Sequence, residues 1–206
     1  MSEQRLLTEK QLESFKVIAN LGLQNATKAL ADMVNLKIVS ENPVTNIIPF
    51  GQIPSLVGGE EEDAVGVYLQ ISGDISGHIM LLWDYAAALN LVDLLMENPS
   101  GTTTSMDDMA QSALKEVGNM VGSFFLNAMA DFTGLKCTPS PPALVIDMMG
   151  SILNTLSAQV AMEGNQSLVI DTTFTEGSHS VLGNFMLIPS SSSTSTILAR
   201  LESGAL

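Results

Sequence analysis

Two side chains in the second half of this sequence, Glu116 and Asn119, have the types and the spacing to act together. Three residues apart on a helix they lie about one turn from each other. A carboxylate that can pair with a cation then stands beside a carboxamide that donates and accepts hydrogen bonds without carrying charge. Such a pair is ordinary on an exposed helix. What sets it apart is the longer pattern Ser112-x-x-x-Glu116-x-x-Asn119, followed after twenty-two residues by Pro142. The pattern recurs ninety-nine residues earlier as Glu13, Val17 and Asn20, again with twenty-two residues before Pro43. Val17 thus takes the place of Glu116, an apolar residue on a face that should meet solvent, and such exceptions mark places where function has been changed or lost.

The elements that must carry these residues are themselves repeated. Asn35-Leu36-Lys37 returns as Gly134-Leu135-Lys136, and Ala29, Ala31 and Asp32 return as Ala128, Ala130 and Asp131. The shared offset, without a gap, indicates a duplicated unit of about a hundred residues. Thr8-x-x-Gln11 reads as a capping box opening a long helix with apolar residues at Leu12, Phe15, Ala19, Leu23, Ala26, Leu30 and Met33. Asn35 and Gly134 both tolerate the left-handed conformation that ends a helix. The second long helix is expected from about Met106 to Thr133, with its start signal in Ser105 to Asp108 and Pro139, Pro141 and Pro142 forbidding its continuation. On a wheel of 100° per residue, Ser112, Glu116, Asn119, Ser123 and Asn127 share one narrow polar stripe. Ala113, Val117, Met120, Val121, Phe124, Ala128 and Phe132 are placed on the core side, at roughly 80° to 200°. Glu13, Val17, Asn20 and Gln24 form the equivalent stripe of the first helix.

Residues 65–71 and 78–83 read as a hairpin, and 168–175 with 181–188 as its repeat, Gly183 falling near the place of Gly77. The offset there has drifted to about 106, which indicates a loop insertion. Residues 84–97 suggest a helix packing on the sheet, and Leu144 to Ser157 a helix or a strand turning into one. Glu60 to Asp63 is read as a solvated turn, and Ser190 to Ser195 as a polar linker to a short segment, Thr196 to Glu202. The whole is expected to be a single domain, 1–206, made of repeats at about 8–100 and 105–189 with a Ser-rich tail, 190–206.

Composition narrows the partners. A chain of 206 residues can bury about 70% of its unfolded surface and needs no staples. Its net charge of −14 would repel a phosphate backbone or an anionic leaflet, so neither nucleic acid nor membrane is an expected partner. One cysteine and two histidines give no expected disulfide and no expected metal site. No secretory leader or membrane-spanning stretch is read, and a cytoplasmic location is expected.

With Ala-Leu-Lys-Glu-Val-Gly-Asn at 113–119 and Pro-Pro-Ala-Leu-Val-Ile-Asp-Met at 141–148, the sequence resembles the CheC-type chemotaxis phosphatases, relatives of CheX and FliY, from Leu12 through Pro189. The resemblance implies an α+β fold with internal pseudo-twofold symmetry, a central antiparallel sheet and two long exposed helices. It implies hydrolysis of the aspartyl phosphate on the response regulator CheY. Asn119 would orient the attacking water and Glu116 would pair with a lysine near the phosphoaspartate. No cofactor of its own is implied, Mg²⁺ coming with the regulator. Phosphoryl transfer asks a protein chiefly for positioning and electrostatics, which suits a neutral amide and one carboxylate. Val17 and Asn20 would form a degenerate second site. The resemblance also suggests that the region of Asp147 contacts the receptor deamidase CheD, although a helix-capping Asp would look the same. The alternative is a noncatalytic adaptor for phosphorylated CheY or CheD. A flagellar switch subunit is less expected, since FliY-like relatives carry a further module and this sequence stops at Leu206. The duplication favours a monomer.

Other residues are read as structural: Asp74 as a turn former, His78 at a strand start, His179 in a loop, Cys137 without an activating base, and the methionines as packing.

Overall fold

The computed structural model describes residues 9–34, 39–40, 44–49, 59–160, 166–176 and 179–202. In chain order these form α1 (Glu9–Val34), β1 (Val39–Ser40), β2 (Val44–Pro49), β3 (Asp63–Gly73), β4 (Gly77–Asp84), α2 (Tyr85–Leu95), α3 (Asp108–Thr133), β5 (Cys137–Pro139), β6 (Ala143–Met148), α4 (Met149–Val160), β7 (Gln166–Glu176), β8 (His179–Pro189) and α5 (Ser191–Glu202). The fold is the expected α+β arrangement. Thr8, Asn35 and Pro43, which carried the reading of the first helix's caps and the first proline, lie outside the described residues.

All strands join one antiparallel sheet in the order β1-β7-β8-β4-β3-β5, with β2 also on β7 and β6 also on β3. Each half therefore lends its short edge strands to the hairpin of the other half. The two hairpins meet at the centre, where β4 pairs with β8 and Met80 lies opposite Met186. Those methionines are 106 residues apart, the drifted offset read from the sequence, so a pseudo-twofold axis normal to the sheet runs between them. The same rotation brings Gly77 to Gly183. It also makes α1 and α3, which pack together on one face, antiparallel neighbours.

Period-two alternation divides the core between the two faces. Val65, Val67, Leu69, Ile79, Leu81, Trp83, Phe185 and Leu187 join the residues of α1, α2, α3 and α5. Ala64, Met80, Leu82, Met186 and Ile188 point the other way, toward Met149, Ile152, Leu153 and Leu156 at or on α4. Strand β4, covered on both faces, is buried at every residue but Asp84.

The second long helix begins and ends for local reasons. Asp107 accepts a hydrogen bond from the Ala110 amide at 2.8 Å, and Gly134, at φ 71°, closes the last turn through its N–H to Ala130 O. Ahead of it, Asp93 of α2 is 1% exposed and gathers the amides of Gly101, Thr102 and Thr103 together with the Thr103 hydroxyl. Burial pushes this carboxyl up, but the Thr103 hydroxyl and the three amides outweigh it, and the pKa lies below the usual value. The carboxylate fixes the loop that leads into α3.

Two readings need correction. Residues 190–195 are no linker. Ser190 precedes α5, and its Oγ accepts from the Ser193 amide at 3.2 Å while Ser193 Oγ accepts from the Ser76 amide at 2.8 Å. The serines cap the helix and tie it to the hairpin tip, and Ile197, Leu198 and Leu201 bury its inner face. The core arc of α3 is also displaced. Gly118, Gly122, Phe125, Leu126 and Met129 are buried, whereas Ala113, Met120, Phe124 and Phe132 are partly exposed. The wheel allowed for one packing surface, but α3 has two. A Cβ on Gly118 would run into Val67 of β3, and one on Gly22 of α1 would lie 2.8 Å from Phe125 Cα.

Candidate functional site

The polar stripe of α3 is exposed as the wheel predicts. Ser112, Glu116 and Asn127 are exposed, Asn119 and Ser123 half-buried. Ser112 Oγ donates to Asp108 O at 2.7 Å, a bond within the helix. The stripe stands on a rigid element, since the opposite side of α3 is held against Val67 and Leu69 through Gly118 and Gly122.

The structure brings Pro142 back to this stripe. After Gly134 the chain reverses into β5, whose Pro139 lies opposite Ile71 of β3. Prolines at 139, 141 and 142 have no N–H to give to the ladder, which is why the edge is broken into β5 and β6. Ser140 bridges the break: its amide donates to Gln70 O at 2.8 Å and its hydroxyl accepts from the Gln70 amide at 3.0 Å. An open groove of about 490 Å³ results, with Ser112, Lys115, Glu116 and Asn119 on one wall and Pro139 to Pro142 on the other. One side of the groove is helical and polar, the other stiff and apolar. Such a groove can hold a protruding edge of another protein against a carboxylate and a carboxamide. Lys115 and Ser140 were not singled out in the sequence. Lys115 immediately precedes Glu116 at the margin of the stripe, which was the signal available for it.

The first face differs in content. Glu13 and Gln24 are exposed, Asn20 is half-buried, and Val17 keeps 39% of its surface in solvent beside Leu21, also at 39%. Lys16 Nζ lies 3.6 Å from Glu13, so the charge of this face is internally paired.

Asp147 does not share the groove. It is exposed on β6, accepts the Met148 amide at 2.7 Å, and lines a separate cavity of about 170 Å³ with Tyr68, Met80, Val145 and Ile152. The first amides of α4 are taken up by Glu62 O and Glu60 O. His78 is buried, 2.6 Å from the Tyr68 hydroxyl through Nδ1, a structural pairing. His179, expected in a loop, opens β8 opposite Glu176. Asp74 does more than turn the chain: its carboxylate accepts the Lys136 amide at 2.8 Å and its own amide donates to Lys136 O. Burial, and then the charge of Asp74, push the Cys137 thiol up, away from nucleophilic use.

Residues 109–146, which contain all but the first residue of α3 and the whole proline wall, match the CheC-like family model. Over 175 residues, 84% of both chains, the sequence is 27% identical to the CheY-P phosphatase CheC of Bacillus subtilis. The fold is similar to that of FliY from Thermotoga maritima, with a TM-score of 0.78 at 17% identity over 96% of this chain and 98% of the other. It is also similar to a chain in the CheX-CheY-BeF3-Mg²⁺ complex from Borrelia burgdorferi, with a TM-score of 0.51 at 19% identity over 82% and 96% of the two chains. The CheC-type resemblance carried by residues 113–119 and 141–148 is thus found again by sequence and by fold.

Proposed function

We propose that this chain is a CheC-type phosphatase that hydrolyses the aspartyl phosphate of CheY. The observation that carries the reading is the placement of Glu116 and Asn119 one turn apart on α3, facing an open groove walled by Pro139 to Pro142. Glu116 would pair with a lysine beside the regulator's phosphoaspartate, and Asn119 would hold the attacking water in line with the phosphorus. An amide suits that position, since it donates and accepts without adding a charge that repels phosphate. The Mg²⁺ would come with the regulator, where it neutralises phosphoryl charge. Half of the active site is then supplied by the substrate, and the groove's own serine hydroxyls, on Ser112 and Ser140, are given to Asp108 O and Pro141 O.

On this reading Val17 leaves the first face unable to make the ion pair, and the second face is the working one. On the same resemblance, Asp147, exposed on β6 and apart from the groove, would contact CheD. The decay of phosphorylated CheY, measured with wild-type protein and with Asn119→Ala, each with and without CheD, tests the assignment. Asn119→Ala should lose nearly all phosphatase activity while keeping the fold. Decay as fast as with wild type would sink the catalytic role, and binding of phosphorylated CheY by wild type without faster decay would leave an adaptor. Loss of CheD capture in Asp147→Lys would support the second surface, and unchanged capture would remove it.

A further inference from the structure

Lys115 lies in the groove with Glu116 and Asn119, and it too has a counterpart ninety-nine residues earlier, Lys16. The two lysines differ in what stands one turn before them. Glu13 holds Lys16 at 3.6 Å. Its place in the second half is taken by Ser112, whose hydroxyl donates to Asp108 O and brings no charge. Lys115 therefore has no ion-pair partner among the described residues. Glu116 adjoins it in sequence, but neighbouring residues on a helix point about 100° apart. In a chain of net charge −14, an unneutralised ammonium at the groove is a local exception to the surrounding field.

We propose that Lys115 is a specificity-determining residue, receiving the anionic surface around the phosphoryl group of the docked regulator, and that a neutral Ser112 keeps its ammonium available. The proposal rests on the phosphatase reading of the groove. An ammonium is a compact point charge suited to phosphate and carboxylate oxygens, and at the margin of a docking site it acts on encounter and salt dependence more than on the chemical step. The first face shows the alternative: a Glu one turn earlier occupies the lysine.

The test measures kcat and KM with phosphorylated CheY, and Kd for CheY loaded with BeF3⁻ and Mg²⁺, at low and raised ionic strength. Lys115→Gln should raise KM and Kd about three- to tenfold at low salt with kcat within about twofold, and the gap should close as salt is added. Lys115→Arg should recover most of the loss. Ser112→Glu should reproduce the Lys115→Gln effect, because it occupies the same ammonium, whereas Ser112→Gln, which brings no charge, should leave KM and Kd within about twofold of wild type. Unchanged KM and Kd in Lys115→Gln, with Asn119→Ala still inactive, would overturn the role of Lys115 alone. Wild-type protein that neither binds loaded CheY nor speeds decay would instead overturn the reading on which it rests.

Discussion

The outer faces of α1 and α3 are two versions of one design, and they differ more in what surrounds the key positions than in the backbone beneath them. On α3 a carboxylate, a carboxamide and an ammonium, the two charges without an ion-pair partner among the described residues, face the proline wall. On α1 the carboxylate is Val17, and the lysine is engaged by Glu13. The inner sides differ as well. Gly118 and Gly122 let α3 lie directly on Val67 and Leu69, whereas the corresponding residues of α1 are Ala19 and Leu23, both fully buried and both in need of more room. The helix that carries the groove is thus the one whose glycines bring it against β3. Duplication supplied two copies of the scaffold, and packing and charge distinguish them.

The comparison can be broken most sharply at the two asparagines. Asn119→Ala is expected to reduce the rate of CheY dephosphorylation by on the order of a hundredfold or more, against less than about twofold for Asn20→Ala. Equal losses would mean that both faces work.

Next in size is the carboxylate that leads into α3. Asp93 has no equivalent in α5, the helix related to α2 by the pseudo-twofold, where Ala199 takes its place. Removing a buried, multiply hydrogen-bonded carboxylate in Asp93→Ala should cost about 2–4 kcal/mol in unfolding free energy by urea titration. Because the pKa of Asp93 is lowered by folding, its contribution is present above the usual value of 3.8 and is lost as pH falls through the lower native value. Wild type should therefore lose more stability than the variant on acidification below about pH 4. Parallel loss in the two proteins would remove this role.

Smaller effects separate the inner sides. Gly118→Ala must displace Val67 and should cost about 1–3 kcal/mol despite the better helix propensity of alanine. Ala19→Gly should cost about 1 kcal/mol, from propensity and lost packing. A neutral Gly118→Ala would show that α3 sits no closer than α1. Smallest is the attempt to rebuild the first face. Glu13→Ser with Val17→Glu, placed in an Asn119→Ala background, should return a few-fold of regulator dephosphorylation above that background if these two positions alone silence α1. No gain would put the cause elsewhere on that surface.

Local chemistry was legible where it depended on short spacing. The capped helix ending at Gly134, the two hairpins, the polar stripe and the exposed Val17 follow from periodicity, turn residues and a repeated pattern. Even the drift of the offset to 106 reappears as the register of β4 on β8. The C-terminal serines misled because a run of hydroxyls reads as solvent-loving. Only the proximity of Ser76 shows that Ser190 and Ser193 are used as caps and ties. The wheel of α3 erred for a related reason, since one sequence cannot say how many surfaces a helix will be packed against.

By itself, then, the sequence determined the repeat, its elements and the side chains offered on each helix, because these rest on spacing along the chain. Tertiary structure decided that each half lends edge strands to the other, that Pro139 to Pro142 close against Glu116 and Asn119, and that, among the described residues, Lys16 is paired while Lys115 is not. Those outcomes depend on which segments meet across the sheet and on which charges come within a few ångströms. Coulomb attraction and steric contact depend on distance in space, which position along the chain does not give.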